Sequence, residues 1–166
     1  MKAYVTGRSG TGKSSVARAF AAKGVAVVDI DNGLCHWENK HTGEQVDWTP
    51  GSSKEWHDAH EWICDAKKLE ALLSENANIV VVGAATNQEE YFHLFDKVFI
   101  LCVESKTIIS RIHQRTDNQF GKDATEQERI LFNYGEWENR MIKNGAVRIN
   151  AEKSLDEVVA EIGAYF

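Results

Sequence analysis

Short apolar runs alternate along this chain with longer stretches in which apolar residues recur every three or four positions. The runs Ala3-Tyr4-Val5-Thr6, Val25-Ala26-Val27-Val28, Ile79-Val80-Val81-Val82 and Val98 to Val103 read as strands, with Val147-Arg148-Ile149 a weaker fifth. The third has no polar interruption, which predicts a strand covered on both faces. Between the first two runs, Ser14 to Lys23 has helical composition. Val16, Ala19 and Phe20 share one side of it, and Gly24 marks the stop. Further helices are predicted near Ser53 to Leu73, Gln88 to Phe95, Ser105 to Arg115, Thr125 to Lys143 and Ser154 to Tyr165. Strands alternating with helices predict an α/β, three-layer fold: a parallel sheet with helices on both faces. Such sheets bind ligands at the carboxyl ends of their strands. One long segment, Asn32 to Ser52, shows neither period and carries the only proline, Pro50. It reads as a loop, functional or mobile, directly after the second strand.

Composition narrows this picture. A chain of 166 residues, 43% hydrophobic and 27% charged, suits one domain with its own core. No apolar run approaches membrane-spanning length and the N-terminus has no leader pattern, so no membrane association is expected. The net charge of −6 argues against a broad nucleic-acid surface, which needs clustered Lys and Arg. Cys35, Cys64 and Cys102 are odd in number and widely spaced, which fits a reduced, cytoplasmic setting.

The chemistry starts at Gly7-Arg8-Ser9-Gly10-Thr11-Gly12-Lys13-Ser14, a match to G-x-x-x-x-G-K-[ST] between the first strand and the first helix. Gly7, Gly10 and Gly12 let the backbone curl its N–H groups inward, and the helix N-terminus adds positive potential for phosphate oxygens. Ser9, Thr11 and Ser15 fall among the candidate phosphate contacts. Lys13 would reach the β- and γ-phosphates, and the Ser14 hydroxyl would ligate Mg²⁺.

Beyond the loop, Asp29 and Asp31 alternate onto one side of the second strand's carboxyl end. Two carboxylates there can hold Mg²⁺ through water or take a proton from an acceptor hydroxyl; a strand-end turn or helix cap is the plainer reading. The third strand ends in Gly83-Ala84-Ala85-Thr86-Asn87, with no acidic Walker-B residue. Thr86 and Asn87 are candidate substrate contacts or, equally, caps of the next helix. Arg111 and Arg115 share a helix face before the polar segment Thr116 to Asp123, with Arg129 and Arg140 beyond it. Arginines flanking such a segment suit a lid that neutralises a transferring phosphoryl group. Trp37, Trp48, Trp56 and Trp62 cluster in sequence and read as the small core of an inserted region in preference to a ring-stacking platform. On one predicted helix, His57, His60 and Cys64 occupy neighbouring turns, with Cys35 and His36 near in sequence; they lack an established zinc spacing.

With GRSGTGKS at Gly7 to Ser14, the triplet Asp29-Ile30-Asp31, the stretch Arg111 to Arg115 and the terminal GAVRINAEKSLDEVVAEI, the chain resembles the nucleotide and small-metabolite kinase branch of P-loop proteins. That branch includes adenylate, shikimate, gluconate and dephospho-coenzyme A kinases. The resemblance implies one P-loop NTPase domain over 1–166 with a five-stranded parallel sheet ordered 2-3-1-4-5. It also implies a substrate-binding insertion at about 32–62 and a lid at about 111–140. It assigns Asp31 to the acceptor, Asp29 to magnesium, Arg111 and Arg115 to ATP phosphates, and the Asn150-Ala151 turn to the adenine border. Absent are the Asp-Gly-[Phe/Tyr]-Pro-Arg segment of adenylate kinase and the Gly-Gly-Gly run of shikimate kinase, so the resemblance names no acceptor. The expectation is an ATP- and Mg²⁺-dependent phosphotransferase, monomeric or homodimeric, acting on a small molecule, nucleoside or nucleotide. The alternative is an ATP-binding regulatory module with little or no turnover.

Overall fold

The computed structural model of the protein describes all residues, 1–166. The chain runs β1 (Lys2–Thr6), α1 (Lys13–Ala22), β2 (Ala26–Asp29), β3 (Cys35–Asn39), β4 (Gln45–Val46), α2 (Lys54–Ala59), β5 (His60–Cys64) and α3 (Ala66–Ser74). It continues through β6 (Ile79–Val82), a 3₁₀ helix (Gln88–Leu94), β7 (Lys97–Cys102), α4 (Ser105–Gln114), α5 (Ala124–Leu131), α6 (Tyr134–Lys143), β8 (Val147–Asn150) and α7 (Leu155–Gly163). Five strands form the main sheet in the order β2-β6-β1-β7-β8, every neighbouring pair parallel. Counted along the chain, that is the expected order 2-3-1-4-5. No helix is long and apolar enough to cross a membrane.

The apolar runs become strands because helices cover both faces and leave no room for a polar side. Every side chain from Ile79 to Val82 is buried. On one face α1 packs against α7, with the Phe20 and Phe166 rings 5.8 Å apart. On the other, Tyr4 stacks on Phe95 at 5.1 Å and meets Tyr91 edge-on at 5.7 Å. Helix starts are specified locally. Ser154 and Glu157 form a reciprocal capping box on α7, and Asp65 accepts from the Lys67 and Lys68 amides to start α3.

Three expectations are corrected. The single helix expected from Ser53 to Leu73 is interrupted by β5, which pairs antiparallel with β3 from Cys35↔Cys64 to Asn39↔His60. Long-range pairing of aromatic and β-branched residues outweighs local helical spacing there. The same pairing organises the supposed loop from Asn32 to Ser52, whose strands β3 and β4 join β5 in a second sheet ordered β4-β3-β5. The helix expected over Thr125 to Lys143 divides into α5 and α6 at Asn133, held at φ 49°, a left-handed conformation that asparagine tolerates.

One contact positions the end of the sheet. A Cβ added to Gly83 would lie 2.2 Å from Ile30 Cγ1 and 2.7 Å from its Cδ1. Ile30 is fully buried. It fills the space that Gly83 leaves open, so its neighbours Asp29 and Asp31 face away from the core. Gly83→Ala should therefore cost about 1–3 kcal/mol through overpacking, a fall in Tm of roughly 3–10 °C. Combining it with Ile30→Ala should cost less than the two single losses added. Additive losses in thermal melts of the double variant would show that the two residues do not share this space.

Candidate functional site

The loop between β1 and α1 leaves the central strand of the sheet. Gly10 (φ 87°) lets it run close under α4: a Cβ there would meet the Ile108 carbonyl oxygen at 2.9 Å. Thr11 closes the loop by donating both its amide (3.2 Å) and its hydroxyl (2.9 Å) to the Arg8 carbonyl. The amides of Ser9, Gly10, Gly12, Lys13 and Ser14 donate to no acceptor in the protein. They form a row of unsatisfied donors at the N-terminus of α1. The Lys13 ammonium folds back onto the Gly7 and Arg8 carbonyls, at 2.7 and 3.1 Å. Burial holds its pKa below the usual lysine value, opposed by the nearby Asp31 and Asp29 charges.

α4 brings two arginines onto this loop. Arg111 donates to the Thr11 carbonyl at 3.3 Å and to the Ala151 carbonyl at 3.0 Å, tying the loop to the turn after β8. Arg115 donates to Ser9 Oγ at 3.1 Å and to the Phe120 carbonyl. Its Nε is buried without a partner, as is that of Arg8. The Arg8 guanidinium lies 4.6 Å over the Trp137 ring, beside a cleft of about 340 Å³ lined by Phe132, Asn133, Glu136 and Arg140.

The carboxylates stand at the end of β2. Asp29 Oδ1 accepts from the Asp31 amide at 3.1 Å, and Asp31 Oδ1 accepts from Trp62 Nε1 at 3.0 Å. Trp62 belongs to β5, so the inserted sheet orients Asp31. Burial, then the Asp31 charge, pushes the Asp29 carboxyl above the usual range. At the end of β6, the Thr86 amide donates to the Trp62 carbonyl at 2.7 Å, while the Thr86 side chain is exposed.

Several residues expected at the site are placed differently. Both donors of Thr11 brace the loop. The Ser15 amide donates to the Gly12 carbonyl at 3.0 Å as part of the first helical turn. Both Thr11 donors are thereby engaged, while the Ser15 hydroxyl accepts from Arg18 at 3.2 Å and donates to no protein group. Asn87 spends its side-chain amide on the backbone of Cys64, with both bonds at 3.0 Å, and so staples the second sheet to β6. Asn150 Oδ1 accepts from the Glu152 amide at 3.0 Å and shapes the turn. His57, His60 and Cys64 share no helix, and no three metal-binding side chains converge.

Sequence reasoning missed Glu126. It is 1% exposed on α5, and its Oε1 accepts from Trp48 Nε1 at 3.0 Å. The Gly121 amide donates to its other oxygen, and His57 Nε2 lies 3.7 Å away. Burial raises the Glu126 pKa and lowers that of His57, with Arg129 adding to the latter. Trp56 and Trp62 each pack on Trp37, with centroids 5.2 and 5.6 Å away, and Trp48 meets Phe120 at 5.8 Å. The inserted sheet and the segment after α4 therefore touch across a mixed aromatic and polar junction. The local pattern Thr125-Glu126-Gln127-Glu128-Arg129 reads as solvent-facing, so nothing in it marks Glu126 as buried.

Residues 4–131 match the family model described as "AAA domain". No curated protein matches the chain in sequence. Among solved structures, deoxyadenosine kinase from M. mycoides with products dCMP and dCDP superposes with a TM-score of 0.65 at 18% identity, covering 99% of this chain and 98% of that one. The same kinase with bound dATP gives 0.62 at 16% identity, covering 99% and 98%. Shikimate kinase from Acinetobacter baumannii in complex with shikimate gives 0.64 at 15% identity, covering 99% and 91%. At such identities the likeness is one of fold. The loop geometry, the sheet order and the matched family model agree: the chain belongs to the AAA domain family and has the fold of the P-loop kinases.

Proposed function

We propose that this protein is a phosphotransferase that moves the γ-phosphoryl group of Mg²⁺–ATP to a small-molecule, nucleoside or nucleotide acceptor. The observation that carries the proposal is the row of unpartnered amides at Ser9, Gly10, Gly12, Lys13 and Ser14, with the Lys13 ammonium at one end and Asp29 and Asp31 close enough to perturb it. Unsatisfied amides at a helix start are a site for phosphate oxygens. The buried, unpartnered Nε groups of Arg8 and Arg115 add to that demand for an anion.

In this reading Lys13 exchanges the Gly7 and Arg8 carbonyls for β- and γ-phosphate oxygens. Arg115 neutralises charge on the transferring group, and Arg111 holds the loop against the Asn150-Ala151 turn that borders the base. Mg²⁺ retains several waters and needs only one or two protein groups besides phosphate. The exposed Ser14 hydroxyl and the Asp29 carboxylate fit that requirement. Bound there, the ion would offset phosphate charge. Asp31, oriented by Trp62, accepts the proton of the acceptor hydroxyl or holds that hydroxyl in line. The insertion at about 32–62 and exposed Thr86 form the acceptor side, and the segment at about 111–140 forms the lid. A reduced cytoplasmic setting suits the three free cysteines.

Incubation with Mg²⁺–ATP and a panel of nucleosides, nucleotides and hydroxylated acids should give acceptor-dependent ADP release. Lys13→Ala should lower its kcat/KM about 10²-fold or more. Tight ATP binding by calorimetry, with turnover that no acceptor stimulates, would instead support a regulatory module.

Asp29 gives a second test. A carboxyl whose pKa is raised on folding favours the folded state below its unfolded pKa, and that preference is lost as pH rises through the folded value. Asp29→Asn removes this loss. The variant should melt above the wild type near pH 7, converge with it toward pH 4, and turn over more slowly with Mg²⁺–ATP. A melting difference that does not change with pH would contradict the assignment of Asp29 as a half-buried, charge-stressed carboxylate.

A further inference from the structure

Cys35 and Cys64 face each other across the inserted sheet as register partners of β3 and β5. In an antiparallel ladder, opposed residues alternate between hydrogen-bonded and non-hydrogen-bonded pairs. The Asp65 amide donates to the Leu34 carbonyl at 2.9 Å, and the Lys40 amide to the Ala59 carbonyl at 3.0 Å. Both fix the phase of the ladder, and both place Cys35 and Cys64 in a non-hydrogen-bonded pair. There the Cα atoms approach to about 4.5 Å and the side chains come closest together. That separation falls inside the range of about 4.4–6.8 Å that a disulfide spans without backbone movement.

The two thiols differ in access. Cys35 is partly exposed, whereas Cys64 is 1% exposed. They also share their titration, each being the first influence on the other. The Cys35 S–H, hydrogen-bonded to Cys64, holds the Cys64 thiol below its usual pKa, and the same bond together with burial pushes the Cys35 thiol up, so Cys64 is the readier thiolate and Cys35 the accessible sulfur. Cys102 lies on β7 in the main sheet, where it pairs in register with Asn150.

We infer that Cys35 and Cys64 form a reversible dithiol modification site, oxidised to an intramolecular disulfide by a low-molecular-weight disulfide such as oxidised glutathione. Cys35, the thiol that the oxidant can reach, loses its proton to solvent as its sulfur attacks one sulfur of the oxidant, forming a mixed disulfide and releasing one glutathione thiolate. The Cys64 thiolate then attacks Cys35 Sγ, closing the protein disulfide and releasing the second glutathione. The protein loses two electrons and two protons, and the oxidant becomes two thiols. A dithiol reductant reverses both steps. The bridge would fix β3 to β5 at the base of the insertion, two residues from the Trp62 that holds Asp31. This thiol chemistry is independent of the proposed phosphotransfer.

The test is mass spectrometry of the folded protein after incubation with oxidised glutathione. The wild type should lose two hydrogens and keep one free thiol, and a non-reduced digest should join the peptides carrying Cys35 and Cys64. A dithiol reductant should restore all three thiols. Cys64→Ser should accumulate a single glutathione adduct on Cys35. The wild-type measurement stands even if that variant fails to fold. A stable wild-type glutathione adduct, a bridge between two chains, a bridge through Cys102, or three unmodified thiols would each overturn the inference.

Discussion

The contact between Ile30 and Gly83 is where the core and the site become one problem. Ile30 sits between two aspartates on a strand whose side chains alternate, so burying it dictates that Asp29 and Asp31 point the other way. It can be buried there only because Gly83 has no Cβ: a methyl group at that position would fall 2.2 Å from Ile30 Cγ1. No side chain fits at Gly83 while Ile30 occupies that space, so an acid is excluded at that position of the β6 end. The same burial of Ile30 leaves Asp29 and Asp31 on the open side of the neighbouring strand end.

That arrangement concentrates unfavourable electrostatics in a small volume. Lys13 and Arg115 are held below their usual pKa chiefly by burial, and Asp29 above its usual value by burial and by Asp31. The amides of Ser9, Gly10, Gly12, Lys13 and Ser14 and the buried Nε groups of Arg8 and Arg115 lack protein partners. The loop amides lie at half-buried or exposed positions, whereas each of the two buried Nε atoms costs about 1–3 kcal/mol, a cost that the core around β1, β6 and β7 offsets. Local inconsistency of this kind concentrates at functional sites.

The parts legible in the sequence were those governed by short-range rules. Buried parallel strands read as apolar runs because neither face meets water, and the loop from Gly7 to Ser14 reads directly because each position has its own backbone or charge requirement. What escaped was set by partners far away in the chain. His60 to Cys64 has helix-compatible spacing, and only pairing with Cys35 to Asn39 makes it a strand. Thr11 belongs to the motif by position, yet both of its donors are consumed by the Arg8 carbonyl. Asn87 offered a polar side chain at a strand end, and its amide turned inward to the Cys64 backbone. The alternation that placed Asp29 and Asp31 was local and visible; the Trp62 bond that orients Asp31 was neither.

The junction at Glu126 sets a limit on how the site can open. Trp48 and Glu126 are far apart in sequence, and their bond joins the segment after β4 to α5 beside an aromatic cluster that includes Phe120 and Trp37. Separating the two segments would break a hydrogen bond to a buried carboxyl group, worth about 1.5–3 kcal/mol when that group is charged. It would also wet the facing aromatic surfaces at about 25 cal/mol per Å². Opening would then give Glu126 the water it lacks when buried, which favours its ionised form and partly offsets the loss. The junction is therefore held by apolar contact together with the carboxyl, a polar fastening whose strength depends on its proton.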